Sequence, residues 1–254
     1  MPEPASRWSA KGLVLPLIVV AAWLAVVDSG WQSNPLLVPL KKIVLAPFVD
    51  EQGQRVWLAL GGSVLRASAG FLIGSLLGIA LGALAGASRT SRALLSPGLH
   101  GLRQVALFAW IPLLTAWFGN GEAAKIIFIA LATFFPVFLN TERGVQTIPT
   151  ALKEVARVHG LGRWRTLRRL TLPGALPSIV TGLELALMIA WIGTVGSEYA
   201  MGAGRGLGAY LATARDVFRM DLVIAGVLIL ALSSYALSRL ALHAFARLTQ
   251  TLRA

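Results

Sequence analysis

The chain has 254 residues, 56% of them hydrophobic types and only 13% charged, and its mean hydropathy is +0.71. A soluble domain carries about 25% charged residues, so a soluble globular enzyme is largely ruled out; disorder, collagen and coiled coil go with it, because the apolar content is too high and no matching period runs through the chain. The absence of cysteine removes disulfides, thiolate catalysis and Cys-ligated metal sites, and a net charge of +12 in so apolar a chain points to the sidedness of a membrane rather than to nucleic acid.

A membrane span needs about 20 mostly apolar residues. Six stretches qualify, so the expected fold is an all-α membrane protein with about six transmembrane helices, near 12–29, 67–88, 102–121, 124–141, 175–200 and 221–240. Residues 1–11 form an N-terminal segment, 12–243 the membrane domain, 142–173 its longest loop and 244–254 a tail. Arg7 and Lys11 ahead of the first apolar run have the look of a signal peptide, but Val27-Asp28-Ser29 is a poor cleavage site, so this run is expected to be retained. With six spans both termini share a side. That side holds fifteen of the 23 Lys and Arg but only three of the 11 acids, so the positive-inside rule makes it cytoplasmic.

In the second span glycine recurs every fourth residue at Gly70, Gly74, Gly78, Gly82 and Gly86. On a helix this is one flat stripe, which lets another backbone approach closely where lipid offers no hydrophobic drive. Pro112 and Pro136 fall inside the third and fourth spans, where each is expected to free a carbonyl and kink its helix.

The loop 142–173 opens with Thr147 or Thr150 as an N-cap around Pro149. Leu152, Val155, Ala156 and His159 follow on one helical face, and Gly160 and Gly162 stop that helix. Glu154 either caps its own helix start or pairs with an arginine outside the chain. A second short helix, 163–170, ends at Pro173. The shape is a helix–glycine–helix plug with a small apolar face and a rim of arginines.

The fifth span holds Glu184 and Glu198. They are 14 residues apart, 40° short of four turns, and so share a helical face about 21 Å apart. Ionisable groups at such depth usually face a bundle interior or water. Glu184 is expected to face a pathway and Glu198 to sit solvated at the outer interface. Gly202–Gly208 is glycine-rich, but no strand precedes it, so it is expected to be a flexible outer loop rather than a nucleotide site. His100, His159 and His243 have no companions at metal-ligand spacing, and no cofactor is expected.

Glu154-Val155-Ala156, three residues, Gly160, nine residues and Leu170-Thr171-Leu172-Pro173 resemble the EAA loop of ABC importer permeases, with Val155 and Leu170 as mild departures. Trp110–Leu113, Trp117–Ile126, Gly174–Leu183, Gly206–Gly208 and Asp221–Gly226 look like the branch handling nitrate, aliphatic sulfonates and taurine. Two positions depart from that branch: Gln104-Val105 stands after Arg103 where the branch has Ile-Pro, and Glu184 follows Gly-Leu where it carries arginine.

The resemblance implies a type I importer architecture with a cytoplasmic coupling-helix loop, and a non-enzymatic membrane subunit for a small anionic solute. It implies two ABC ATPase subunits, an extracytoplasmic binding protein and a permease homodimer in the bilayer, without nucleic acid. The coupling residues would be Leu152, Glu154, Val155, Ala156, Gly160, Leu161 and Arg163, and the pathway candidates Arg103, Glu184 and Glu198. The chain has no P-loop of its own, so nucleotide must be bound elsewhere. The alternative is a secondary transporter driven by an ion gradient through Glu184 and Glu198, which would show an internal repeat. An intramembrane enzyme would need convergent catalytic groups, and only those two carboxylates are offered.

Overall fold

Long apolar stretches in lipid must satisfy their backbone internally, so they form helices, and the computed structural model, which describes residues 14–28, 37–202 and 204–251, is almost wholly helical. The expected segment 1–11 lies outside the described residues. Helix α1 (Val14–Asp28) has 15 residues, about 22 Å, and falls short of a full span within what is described. Its Trp23 indole donates to Val38 O at 3.4 Å and packs beside Ile43 and Ala225. Helix α2 (Leu40–Val49) leads to Asp50, whose carboxylate caps α3 (Glu51–Ala87) by accepting from the Gln52 N–H at 2.9 Å. At 37 residues α3 is about 55 Å long and begins well before the expected boundary at 67.

All five stripe glycines of α3 face α6 (Glu122–Gln146). A methyl group on Gly78 would stand 2.9 Å from Phe134 O, one on Gly82 2.6 Å from Phe138 O, and one on Gly86 2.8 Å from Glu142 O. Both helices step four residues per contact, so they run parallel with their backbones in near contact. Thr133 Oγ1 donates across to Gly70 O at 3.2 Å.

Residues 102–121, expected as one span, are broken. Helix α4 (Arg89–Leu102) ends in tightened turns, with Gln104 N–H donating to Gly101 O at 3.0 Å and Val105 N–H to Leu102 O at 3.2 Å. A 3₁₀ turn (Leu107–Trp110) then leads into α5 (Ile111–Phe118), and the chain bends by 93° between the two halves. Pro112 kinks nothing: it lies in the first turn of α5, where a missing N–H leaves no bond unmade. Pro136 does sit inside α6, where its carbonyl accepts from the Asn140 amide at 2.8 Å.

Helix α7 (Thr150–Val158) is followed by α8 (Arg163–Thr166), a π-helical turn (Leu167–Thr171) and α9 (Leu172–Met201). Contrary to expectation, Pro173 does not end the short helix. The π turn reaches back five residues, Leu172 N–H to Leu167 O, and Pro173 occupies the first turn of the continuing helix, so Trp164–Met201 is one run of 38 residues. Helix α9 is antiparallel to α6, with Gly182 against Pro136 and Asn140, and Gly144 against Ala175 and Ser178. Helix α10 (Leu207–Asp216) and α11 (Met220–Thr251) complete the chain; α11 runs well into the expected tail.

Among the described residues four helices are long and apolar enough to cross a membrane: Glu51–Ala87, Glu122–Gln146, Trp164–Met201 and Met220–Phe245. The bent pair Arg89–Leu102 and Leu107–Phe118 makes a fifth if counted as one. One end of the bundle carries α10, the other α7.

Candidate functional site

At the α7 end the loop presents an apolar face that none of the described residues covers. Leu152 and Val155 are exposed, Val158 is 85% exposed and Trp164 is 72% exposed. Ala156, expected on the same face, points inward and is buried. Gly160 terminates α7 at φ +66°, and Leu161 N–H returns to Ala156 O at 3.0 Å, the pairing of a Schellman turn that a left-handed glycine permits. Glu154 is exposed and the first turn of α7 holds no acid, so Glu154 does not cap its own helix start. Thr147 does not cap α7 either; its hydroxyl donates back to Gly144 O at 2.9 Å, while Thr150 is the first residue of α7. Arg163 opens α8.

At the α10 end lies a buried ionic cluster that sequence reasoning missed. Glu198 is not solvated: it is 0% exposed. Arg66 from α3 donates Nη1 to Glu198 Oε1 at 2.5 Å and Nη2 to Arg205 O at 2.6 Å, and binds Glu122 at the start of α6 through Nε and Nη2. Ser63 Oγ donates to the Glu198 carboxylate at 2.8 Å and accepts from the Leu207 N–H at 2.8 Å. Gly208 N–H donates to Glu198 Oε2 at 2.9 Å. Lys125, one turn into α6, is only 1% exposed. Two buried cations thus meet the buried Glu198 and the exposed Glu122, so the charges balance.

The loop expected to be flexible is therefore clamped. Gly206 presses against the Glu198 carboxylate, so closely that a methyl group there would stand 2.5 Å from Oε2, and Gly202 and Gly204 turn at φ +65° and +97°. Glu184 and Glu198 do not share an environment despite their shared helical angle. The clamped loop and α3 cover the end of α9, whereas Glu184 is only half-buried among exposed Thr181, Leu185 and Met188. The signal available in the sequence was weak: Arg66 and Lys125 are cations at the outer rim of two spans, opposite Glu198 in depth, but the partners of Arg66 lie 56 to 139 residues away.

Two smaller polar sites tie helices together. Glu142, buried near the α7 end of α6, accepts from Ser96 Oγ at 2.7 Å and faces His100 Nε2 at 3.5 Å, both on α4. At the α10 end Arg219 bridges Asp50 and Asp221, with Nη2 to Asp221 Oδ2 at 2.8 Å. The Arg219 guanidinium holds the Asp50 carboxyl below the usual carboxylate range, aided by the Gln52 and Gly53 backbone. Arg103 ends α4 with its side chain exposed beside the bend.

A multi-helix membrane bundle with close parallel packing, an outward-facing apolar loop at one end and a clamped loop at the other defines a membrane transport component. The chain belongs to the family of binding-protein-dependent transport system inner membrane components, whose profile matches residues 74–250. It is 38% identical over 221 residues to the putative aliphatic sulfonates transport permease protein SsuC of Bacillus subtilis, covering 87% of this chain and 80% of that protein. It is 30% identical over 244 residues to the bicarbonate transport system permease protein CmpB of Synechococcus elongatus, covering 90% and 87%. A bacterial ABC transporter involved in import of the acidic polysaccharide alginate shares the fold, with a TM-score of 0.68 and 18% identity over 93% of this chain and 91% of that one. The fold is thus that of the type I importer permeases, and the chain is a multi-pass membrane component.

Proposed function

We propose that this chain is the pathway-forming subunit of an ATP-driven importer of a small anion of the sulfonate, nitrate, taurine or bicarbonate class. Two copies enclose the pathway, two separate ATPases drive it, and an extracytoplasmic binding protein delivers the solute at the α10 end. Both termini are cytoplasmic. The observation that carries the reading is the apolar face of Leu152, Val155, Val158 and Trp164 at the α7 end, set at a fixed angle by the Gly160 turn. A face of that kind in water is stabilised by a partner groove, and the arginines at 165, 168 and 169 supply a rim for acidic groups on the ATPase. Glu154, Leu161 and Arg163 belong to the same contact.

Glu198, one of the two carboxylates the gradient-driven alternative would use, is instead held in a structural cluster by Arg66, Ser63 and the Gly208 N–H.

The test is purification of the tagged protein in mild detergent with every co-purifying chain identified, followed by reconstitution. A stoichiometric P-loop ATPase, with uptake lost in Gly160→Leu while membrane insertion persists, is the expected result. Uptake by this chain alone would overturn the reading.

A further inference from the structure

The bend between α4 and α5 opens a cavity of about 500 Å³ against α6 and α9. Its polar wall is Arg103 and Gln104 at the bend with Asn140 and Arg143 one turn apart on α6. Its apolar wall includes Trp110 and Phe135. No acidic residue lines it. Glu142, the neighbour of Arg143, is turned the other way onto Ser96 and His100, and Glu184 is outside the lining although Leu185 belongs to it. Neither Arg103 nor Arg143 forms a salt bridge among the described residues. Asn140 spends one amide hydrogen on Pro136 O at 2.8 Å and keeps the other.

Both arginines are exposed, as cations placed for topology would be, but they also share the wall of a cavity that reaches Trp110 and Phe135, and no acid in that wall cancels their charge. Guanidinium forks match the paired oxygens of a planar or tetrahedral oxyanion. The aromatic wall matches a short apolar tail rather than a second charge, and the volume is that of a small-ligand site.

We infer that this cavity is a transient binding site for a small organic oxyanion with a short apolar tail, an alkanesulfonate in chemical class, whose head group is held by Arg103 and Arg143 with Asn140 and Gln104. The inference rests on the proposed reading of the chain as an anion importer. It goes beyond it in placing the anion on named residues, and in favouring tailed anions over nitrate and bicarbonate.

The experiment uses the purified full transporter in nanodiscs without its binding protein. Equilibrium binding of radiolabelled ethanesulfonate is measured in competition with butanesulfonate, nitrate, bicarbonate and neutral ethyl methyl sulfone. Butanesulfonate is expected to compete best and the sulfone not at all. R103Q and R143Q are each expected to weaken binding about tenfold or more, the scale of a lost charge-assisted hydrogen bond, with R103K and R143K retaining more. Phe135→Ala should erase the preference for the longer tail. Basal ATPase activity and co-purification of the ATPase are measured in every variant, since no variant touches the α7 contact. Unchanged ethanesulfonate binding in R103Q/R143Q, with ATPase intact, overturns this inference alone. Nitrate competing better than butanesulfonate overturns the tail assignment and with it the substrate class. Absence of any ATPase in the wild-type preparation overturns the importer reading instead.

Discussion

Removing Arg66 while leaving its partners tests the ionic cluster most sharply. In Arg66→Met the side-chain volume stays similar, but Glu198 loses a 2.5 Å ion pair and keeps Ser63 Oγ and the Gly208 N–H, with Lys125 the one cation left in the cluster, while Glu122 loses both contacts to the guanidinium and Arg205 O loses its donor. Glu198 is fully buried, so the cost is that of a stranded charge, about 3–5 kcal/mol. For a chain of this size each kcal/mol shifts the midpoint by about 2–4 °C, so the loss is about 6–20 °C. Removing both charges in Arg66→Met/Glu198→Met should recover part of it, because no stranded charge is left on α9, although the Gly208 N–H, Ser63 Oγ and Arg205 O each lose a partner. The assay is the thermal midpoint in detergent, read by size-exclusion chromatography of heated samples. Tryptic cleavage after Arg205 is the local readout and should accelerate in the single variant. A single variant melting within about 2 °C of wild type, or a double variant worse than the single, would refute the claim that Arg66 compensates the buried Glu198 charge.

Other outcomes follow from the packing and the loops. Gly82→Ala should destabilise by about 1–3 kcal/mol, since its methyl meets Phe138 O at 2.6 Å, whereas Gly61→Ala, with open space around it, should stabilise by up to about 1 kcal/mol; parallel melts decide between them. Trp164→Ala should leave the melting point nearly unchanged and lower substrate-stimulated ATP hydrolysis in the reconstituted transporter, because the ring is 72% exposed and serves no internal packing. The Asp50 carboxyl is held below its ordinary 3.8 in the folded protein. Its stabilising effect is therefore complete above that pH and lost as the pH falls through the folded value. Melts from pH 7 to pH 3 should show an acid-side slope that shrinks in Asp50→Asn.

The apolar runs and the glycine period were legible because both are local: composition marks a span, and a four-residue repeat marks a face. The Gly160 turn was legible for the same reason. The break at 103–106 was not, since an apolar stretch bent by 93° reads in one dimension like a straight one. Nor was the start of α3 at Glu51, whose first five turns carry Arg55 and Arg66 and so look like loop on a charge count. Glu198 was misplaced because its depth was judged from α9 alone. Its burial is produced by Ser63, Arg66 and Leu207, brought together only by the tertiary fold.

The π turn gives the molecule a mechanical property. Trp164–Met201 is one rod of 38 residues, about 57 Å, with a single widened turn near its lower end. One tip is the exposed indole of Trp164; close to the other is Glu198, pinned to Arg66 and to the 204–208 loop. A torque applied at the indole reaches the far loop without crossing any connecting segment, and the widened turn is the compliant joint in that lever. Stiffening the joint and loosening the pinned tip are thus opposite ways of changing the same stroke.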